Sequence, residues 1–123
     1  MKTVLITGCS SGYGLETARY FHERGWRVVA GMRTPRPEVL PASERLQVVA
    51  LDVTKPASIA SAVAEAGPVD VLVNNAGIGL FGAVEVTPLS TIREIFETNT
   101  LGAMAMVQAV VPTLRARGAG VMQ

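Results

Sequence analysis

Thr3-Val4-Leu5-Ile6-Thr7-Gly8-Cys9-Ser10-Ser11-Gly12-Tyr13-Gly14 runs from an apolar, strand-like segment into a glycine-rich turn, and a helical pattern resumes behind it. Strand, glycine turn and helix in that order build a phosphate-binding turn. The absence of a Cβ lets the backbone bend sharply at Gly8, lets a pyrophosphate approach near Gly12, and lets the helix press against the strand at Gly14. The helix then aims its unpaired N–H groups and the positive end of its dipole at the anion.

Outward from this turn, strand-like and helical runs alternate along the whole chain. The pattern predicts strands at 2–7, 26–32, 46–51 and 69–74, and helices at 12–24, 56–66 and 88–116. Such alternation implies a parallel sheet with helices on both faces, and the nearly all-apolar strands fit burial on both sides. The expected class is therefore α/β, a Rossmann-type doubly wound sheet of about four strands. Leu15, Ala18, Tyr20 and Phe21 place apolar residues at helical spacing on the first crossover helix, and Gly25 stops it. Pro35, Pro37 and Pro41 leave the segment 34–43 as a surface connection with no regular second crossover helix.

Composition narrows the function. The 123 residues suit a single domain, and a hydrophobic content of 49% is ample for a packed core. Eleven basic against ten acidic residues give a net charge of +1, which points away from nucleic acid and from membrane surfaces. One cysteine, Cys9, cannot form an internal disulfide, and neither a secretory leader nor a membrane-spanning run is legible, so the cytoplasm is the expected compartment. A small-molecule ligand fits best, and no metal site is expected.

Arg33 lies 19 positions beyond Gly14 (33 − 14) at the end of the second predicted strand, close to the offset of about 20 residues at which a dinucleotide fold reads the adenosine ribose. A carboxylate there would repel a 2′-phosphate, whereas Arg33 can pair with one. NADP is therefore favoured over NAD, although Arg36 nearby makes the loop generally basic. Asp52 and Val53 end a strand at the carboxyl edge of the sheet, where open α/β sheets hold ligands; the Asp52 carboxylate can accept from an adenine amino group or simply shape a turn. Asn74 and Asn75 end the fourth strand, where their amides can tie neighbouring strands while Ala76 and Gly77 leave room for a ribose. Asn99 in mid-helix competes with the helix backbone and needs a partner.

The spacing Gly8-x-x-x-Gly12-x-Gly14, with Asp52-Val53, Asn74-Asn75-Ala76-Gly77 and Thr98-Asn99-Thr100-Leu101-Gly102, resembles the short-chain dehydrogenase/reductase family over essentially the whole chain. The resemblance implies an NAD(P)-binding role for Gly8, Ser10, Ser11, Gly12, Tyr13 and Gly14 as the cofactor loop. It makes Asp52 the adenine-contacting acid with Val53 beside it, and Asn75, Ala76 and Gly77 a cofactor-facing turn. Asn99 falls where the family places the asparagine of its catalytic tetrad, holding a water of a proton relay. Tyr13 departs from the usual aliphatic residue and resembles a retinol and hydroxysteroid branch, with core packing as the alternative. Cys9 reads as a small buried residue, His22 as solvated surface, and Met104 and Met106 as core or subunit interface.

The family's chemistry also needs a Tyr-x-x-x-Lys pair and a preceding serine. Tyr13 and Tyr20 are the only tyrosines, and Thr17 and Arg24 stand four residues after them. The chain is thus expected to be the N-terminal portion, residues 1–123, of a single NAD(P)-binding Rossmann domain. It serves either an NADP-dependent oxidoreductase of alcohols and ketones, or a nucleotide-binding or partner-pairing half-fold without catalysis, or is a gene fragment without independent function. Whether it is an enzyme stays open at this point. The long helix 88–116 and an uncovered edge strand 69–74 predict a homo-oligomer.

Overall fold

The computed structural model describes residues 1–79 and 82–123. Five parallel strands form one sheet in the order β3-β2-β1-β4-β5. They are β1 (Thr3–Ile6), β2 (Arg27–Met32), β3 (Leu46–Ala50), β4 (Val71–Val73) and β5 (Val121–Met122). The chain builds β1 to β3 in one direction, then returns to place β4 on the other side of β1. The carboxyl ends of β1 and β4 therefore flank the point where the strand order reverses, which is where such sheets open a crevice for ligands.

Alternation along the buried strands divides the core in two. Val4, Ile6, Val28, Ala30 and Met32 face one layer with Ala18 of α1 (Gly12–Glu23). Leu5, Val29, Val49 and Leu72 face the other, against Ile59 and Ala62 of α2 (Pro56–Ala66) and Met106, Val110 and Leu114 of α4 (Ala103–Arg117). Met106, Val110 and Leu114 recur every fourth residue and so lie on one stripe of their helix. Leu5 and Leu72 are 0% exposed, and truncating either to alanine removes roughly 2–5 kcal/mol of stability.

Several boundaries differ from the sequence reading. The sheet has five strands rather than four. Val121 and Met122 are too few to register as a strand by pattern, yet they pair with Val71 and Leu72. Gln123 extends the ladder, its carbonyl accepting from Asn74 N at 2.7 Å and its N–H donating to Leu72 O at 2.9 Å. The edge of β4 is thus covered, and β4 itself is only three residues long.

The predicted helix 88–116 is α3 (Leu89–Phe96), a π-helical turn at Glu97–Gly102, and α4. Gly102 presses on the end of the third strand's connection, where a Cβ would stand 2.5 Å from Val53 Cγ2. The segment 33–45 carries no crossover helix, only a 3₁₀ turn at Pro37–Val39. It is not purely surface, however, because Leu40 is buried against the layer of α1.

Candidate functional site

Thr7 organises the site from below. Its buried hydroxyl accepts from Asn75 N at 3.0 Å and from Ala76 N at 2.8 Å, joining the end of β1 to the turn after β4. Asn75 Nδ2 donates to Gly8 O at 3.0 Å, closing the same junction from the other side. Gly8 has φ +72 and lies so close to the turn that a Cβ would stand 2.8 Å from Ala76 Cα. A Cβ on Gly14 would overlap Gly8 O and Asn75 Nδ2. Gly8 and Gly14 are therefore glycines for close packing, of the turn on β4's loop and of α1 on the turn.

Asn74 does not act as the sequence suggested. Its Oδ1 is buried without a hydrogen-bond partner among the described residues, and Asn75 makes the tie, to the glycine turn rather than to the next strand. Gly12 has φ +60, and the space its Cβ would enter is open. Ser11 precedes α1 in extended conformation and makes no side-chain cap, so the first-turn N–H groups keep their donors for an external acceptor.

A cavity of about 330 Å³ opens over this turn. Gly8, Ser10, Ser11, Tyr13, Arg33, Asp52, Val53, Asn75, Ala76 and Gly77 all line it, so the structure brings together ten of the twelve cofactor-binding candidates. Gly12 and Gly14 do not line it. Leu51, Ile78 and Thr98 line it too and were not anticipated. Tyr13 is 88% exposed, which excludes core packing. Arg33 is exposed and enters no ion pair among the described residues.

Asp52 lines the same cavity with a fixed carboxylate. Thr54 donates to Asp52 Oδ1 through its N–H at 3.0 Å and through its hydroxyl at 2.6 Å. The Thr54 hydroxyl, chiefly, holds the Asp52 carboxyl below its ordinary pKa of 3.8; burial opposes this, while the Thr54 N–H, Arg33 and Lys55 add to it. Asp52 is thus an ionised acceptor near neutral pH. Thr54 was legible as the third residue of an Asp-x-Thr turn.

Asn99 lies in the π turn with both ends of its amide engaged. Oδ1 accepts from Ile78 N at 2.8 Å and Nδ2 donates to Ile78 O at 2.7 Å, which pins the segment after β4 beside Gly77. The discomfort of asparagine in mid-helix is resolved by this pairing and by the widened turn. Cys9 is buried, its Sγ donates to Ile6 O at 3.3 Å, and burial pushes its thiol up to about 12. His22 is not solvated surface: it is half-buried, with Nε2 lacking a partner among the described residues. Met106 is core, while Met104 is exposed.

An open parallel sheet, an uncapped helix behind a glycine turn and a crevice at the reversal of strand order define a Rossmann-type α/β protein. The family model described as short chain dehydrogenase matches residues 2–122, and the chain belongs to that family, whose members bind NAD(P). It is 42% identical over 130 residues to human (Homo sapiens) retinol dehydrogenase 8, covering 97% of this chain and 42% of that protein. A short-chain dehydrogenase from Streptomyces avermitilis superposes with a TM-score of 0.90 at 35% identity, over 99% of this chain and 48% of the other. Two further solved neighbours, each 31% identical, are a serine dehydrogenase complexed with NADP+ (TM-score 0.89, 98% and 52% covered) and a Brucella melitensis 3-ketoacyl-(acyl-carrier-protein) reductase complexed with NADH (TM-score 0.86, 95% and 52% covered). The chain spans less than half the length of the curated relative, 42%.

Proposed function

We propose that this chain is the NADP-binding portion of a single Rossmann domain, serving an oxidoreductase that moves hydride between NADP(H) and an alcohol or ketone. The observation that carries the cofactor choice is Arg33. It is an exposed guanidinium lining the cavity, free of any carboxylate partner among the described residues, and Asp52 lines the cavity too. Residues of the cavity fit a nucleotide in kind. Uncapped N–H groups of α1 suit a pyrophosphate, Asp52 suits an amino group on the base, and the loop at Ala76 and Gly77 suits a ribose. When bound, the nicotinamide supplies or accepts the hydride. This chain's own residues bind, orient and space the nucleotide, and Asn99 braces the floor at Ile78 for a water of a proton relay.

Calorimetric titration tests the assignment. NADP is expected to bind more tightly than NAD by about 1–3 kcal/mol, the range for a hydrogen bond to a charged group, and Arg33→Ala is expected to remove the difference. Equal affinities in the unmodified chain would overturn it.

We place the protein in the cytoplasm, on its single cysteine, with no nucleic-acid or membrane partner. No helix among the described residues is long and apolar enough to cross a membrane. We further propose a homo-oligomer, because Phe96, Leu101 and Met104 are 58%, 50% and 58% exposed along α3, the π turn and α4.

A further inference from the structure

A second cavity, of about 510 Å³, adjoins the first. Arg33, Ile78 and Thr98 line both, whereas Thr54, Ser90, Arg93, Glu94 and Glu97 line the second alone. Its volume falls within the range of about 300–1,000 Å³ common to small-molecule sites. Ser90, Arg93 and Glu94 belong to α3 and Glu97 opens the π turn, so the spacing i, i+3, i+4, i+7 gathers them on one face. With Arg33, that face brings two guanidinium and two carboxylate groups to one space. None of the four is in an ion pair among the described residues. Arg93 and Glu97 stand one turn apart, where opposite charges can meet, but the base precedes the acid, which is the weaker order along a helix.

We propose that this second cavity is a binding site for a small zwitterion, a molecule with the carboxylate and ammonium groups of an amino acid. A guanidinium forks onto a carboxylate through two parallel N–H donors, and Arg93 holds no carboxylate of this chain among the described residues. Glu94 and Glu97 supply acceptors for an ammonium, which carries three donors and no acceptor. A plain anion would meet Arg33 and Arg93 but also both glutamates, and a plain cation would meet the reverse. A dipolar molecule answers both signs at once, and matched charge of this kind fixes partner choice and orientation. Ser90, Arg93, Glu94 and Glu97 take no part in the nucleotide site proposed above, so the two sites can be tested apart.

The test is an NMR titration of the whole chain with γ-aminobutyrate, with butyrate and butylamine as single-charge controls, and with NADP in a parallel sample. The zwitterion is expected to bind more tightly than either control by on the order of tenfold or more, the equivalent of one hydrogen bond to a charged group. Its shift changes are expected at Ser90, Arg93 and Glu97, and not along the glycine turn. Arg93→Gln and Glu97→Gln are each expected to remove the advantage and to leave the NADP titration unchanged. Equal binding of the three probes, binding of none, or shift changes confined to Gly8–Gly14 overturns the zwitterion site, and the last two need no variant to be read. An advantage that survives both substitutions overturns it as well. A chain that binds γ-aminobutyrate in this way but not NADP overturns the nucleotide reading of the first cavity and leaves the second site standing.

Discussion

Cys9 shows how a single residue type acquires opposite meanings in a loop and in a fold. In the glycine turn it stands among residues proposed to touch a phosphate, yet its side chain points into the layer beneath α1 and its thiol is held neutral up to about pH 12. The ordinary thiol value is 9.0, so the unfolded chain releases this proton first. Stability from the neutral thiol is complete below pH 9 and declines as pH rises from 9 to 12, by about 4 kcal/mol in all at 1.36 kcal/mol per unit. Other groups also titrate in that range, so the measurement is a difference. Denaturant unfolding of the unmodified chain and of Cys9→Ala is expected to show an advantage for cysteine at pH 7 that shrinks and reverses by pH 11. A constant difference would contradict the burial of the thiol. At pH 8 in native buffer, the same residue is expected to resist alkylation that proceeds freely in denaturant.

Among the elements, the junction of β1, α1 and the turn after β4 carries most of the site's geometry. Gly12 and Gly14 look alike in the motif, but the structure separates them. Gly14→Ala drives a methyl into Gly8 O and Asn75 Nδ2, a kind of overpacking that costs typically 1–3 kcal/mol and here also displaces the Gly8 turn. Gly12→Ala meets open space and carries only the cost of φ +60 for an L-residue, about 1–2 kcal/mol. Chemical denaturation with nucleotide titration distinguishes the two. Gly14→Ala is expected to lose both stability and binding, whereas Gly12→Val is expected to retain helical content and lose binding, its branched side chain filling the space left for an anion. The reverse ranking would remove the phosphate reading of the turn. The fourth-strand turn follows the same logic, because Asn75 rather than Asn74 spans the gap to Gly8.

For the molecule as a whole, binding and turnover should separate. The cavity assembles from residues of this chain, but no tyrosine stands with a lysine four residues on, and a neutral asparagine amide such as Asn99 orients water without exchanging a proton near neutral pH. General acid–base assistance commonly contributes about 10²–10⁴-fold. The 123-residue chain is therefore expected to bind NADP yet oxidise no NADPH with a panel of ketones, followed at the absorbance of the reduced nicotinamide. Turnover by this chain alone would force a search for another proton donor. Turnover only when a segment carrying serine and Tyr-x-x-x-Lys is supplied would support the oxidoreductase reading over the binding-only one.

The α/β class, the first four strands, the glycine turn and the family were legible in the order of residues, because strand burial, helix periodicity and glycine conformation are local properties written into consecutive positions. Asp52, Asn75 and Arg33 could be named as candidates on the same ground. Tertiary structure alone decided what depends on distant neighbours. It added β5, a two-residue strand that exists only by pairing with β4. It turned Tyr13 outward, brought Leu40 inward, and left His22 half-buried. It gave Thr7 its two amides across 68 and 69 residues and Asn99 its partner in Ile78. Those contacts join segments whose separation in the chain carries no periodic signal, so only the folded sheet, by bringing the carboxyl ends of β1 and β4 side by side, could specify them.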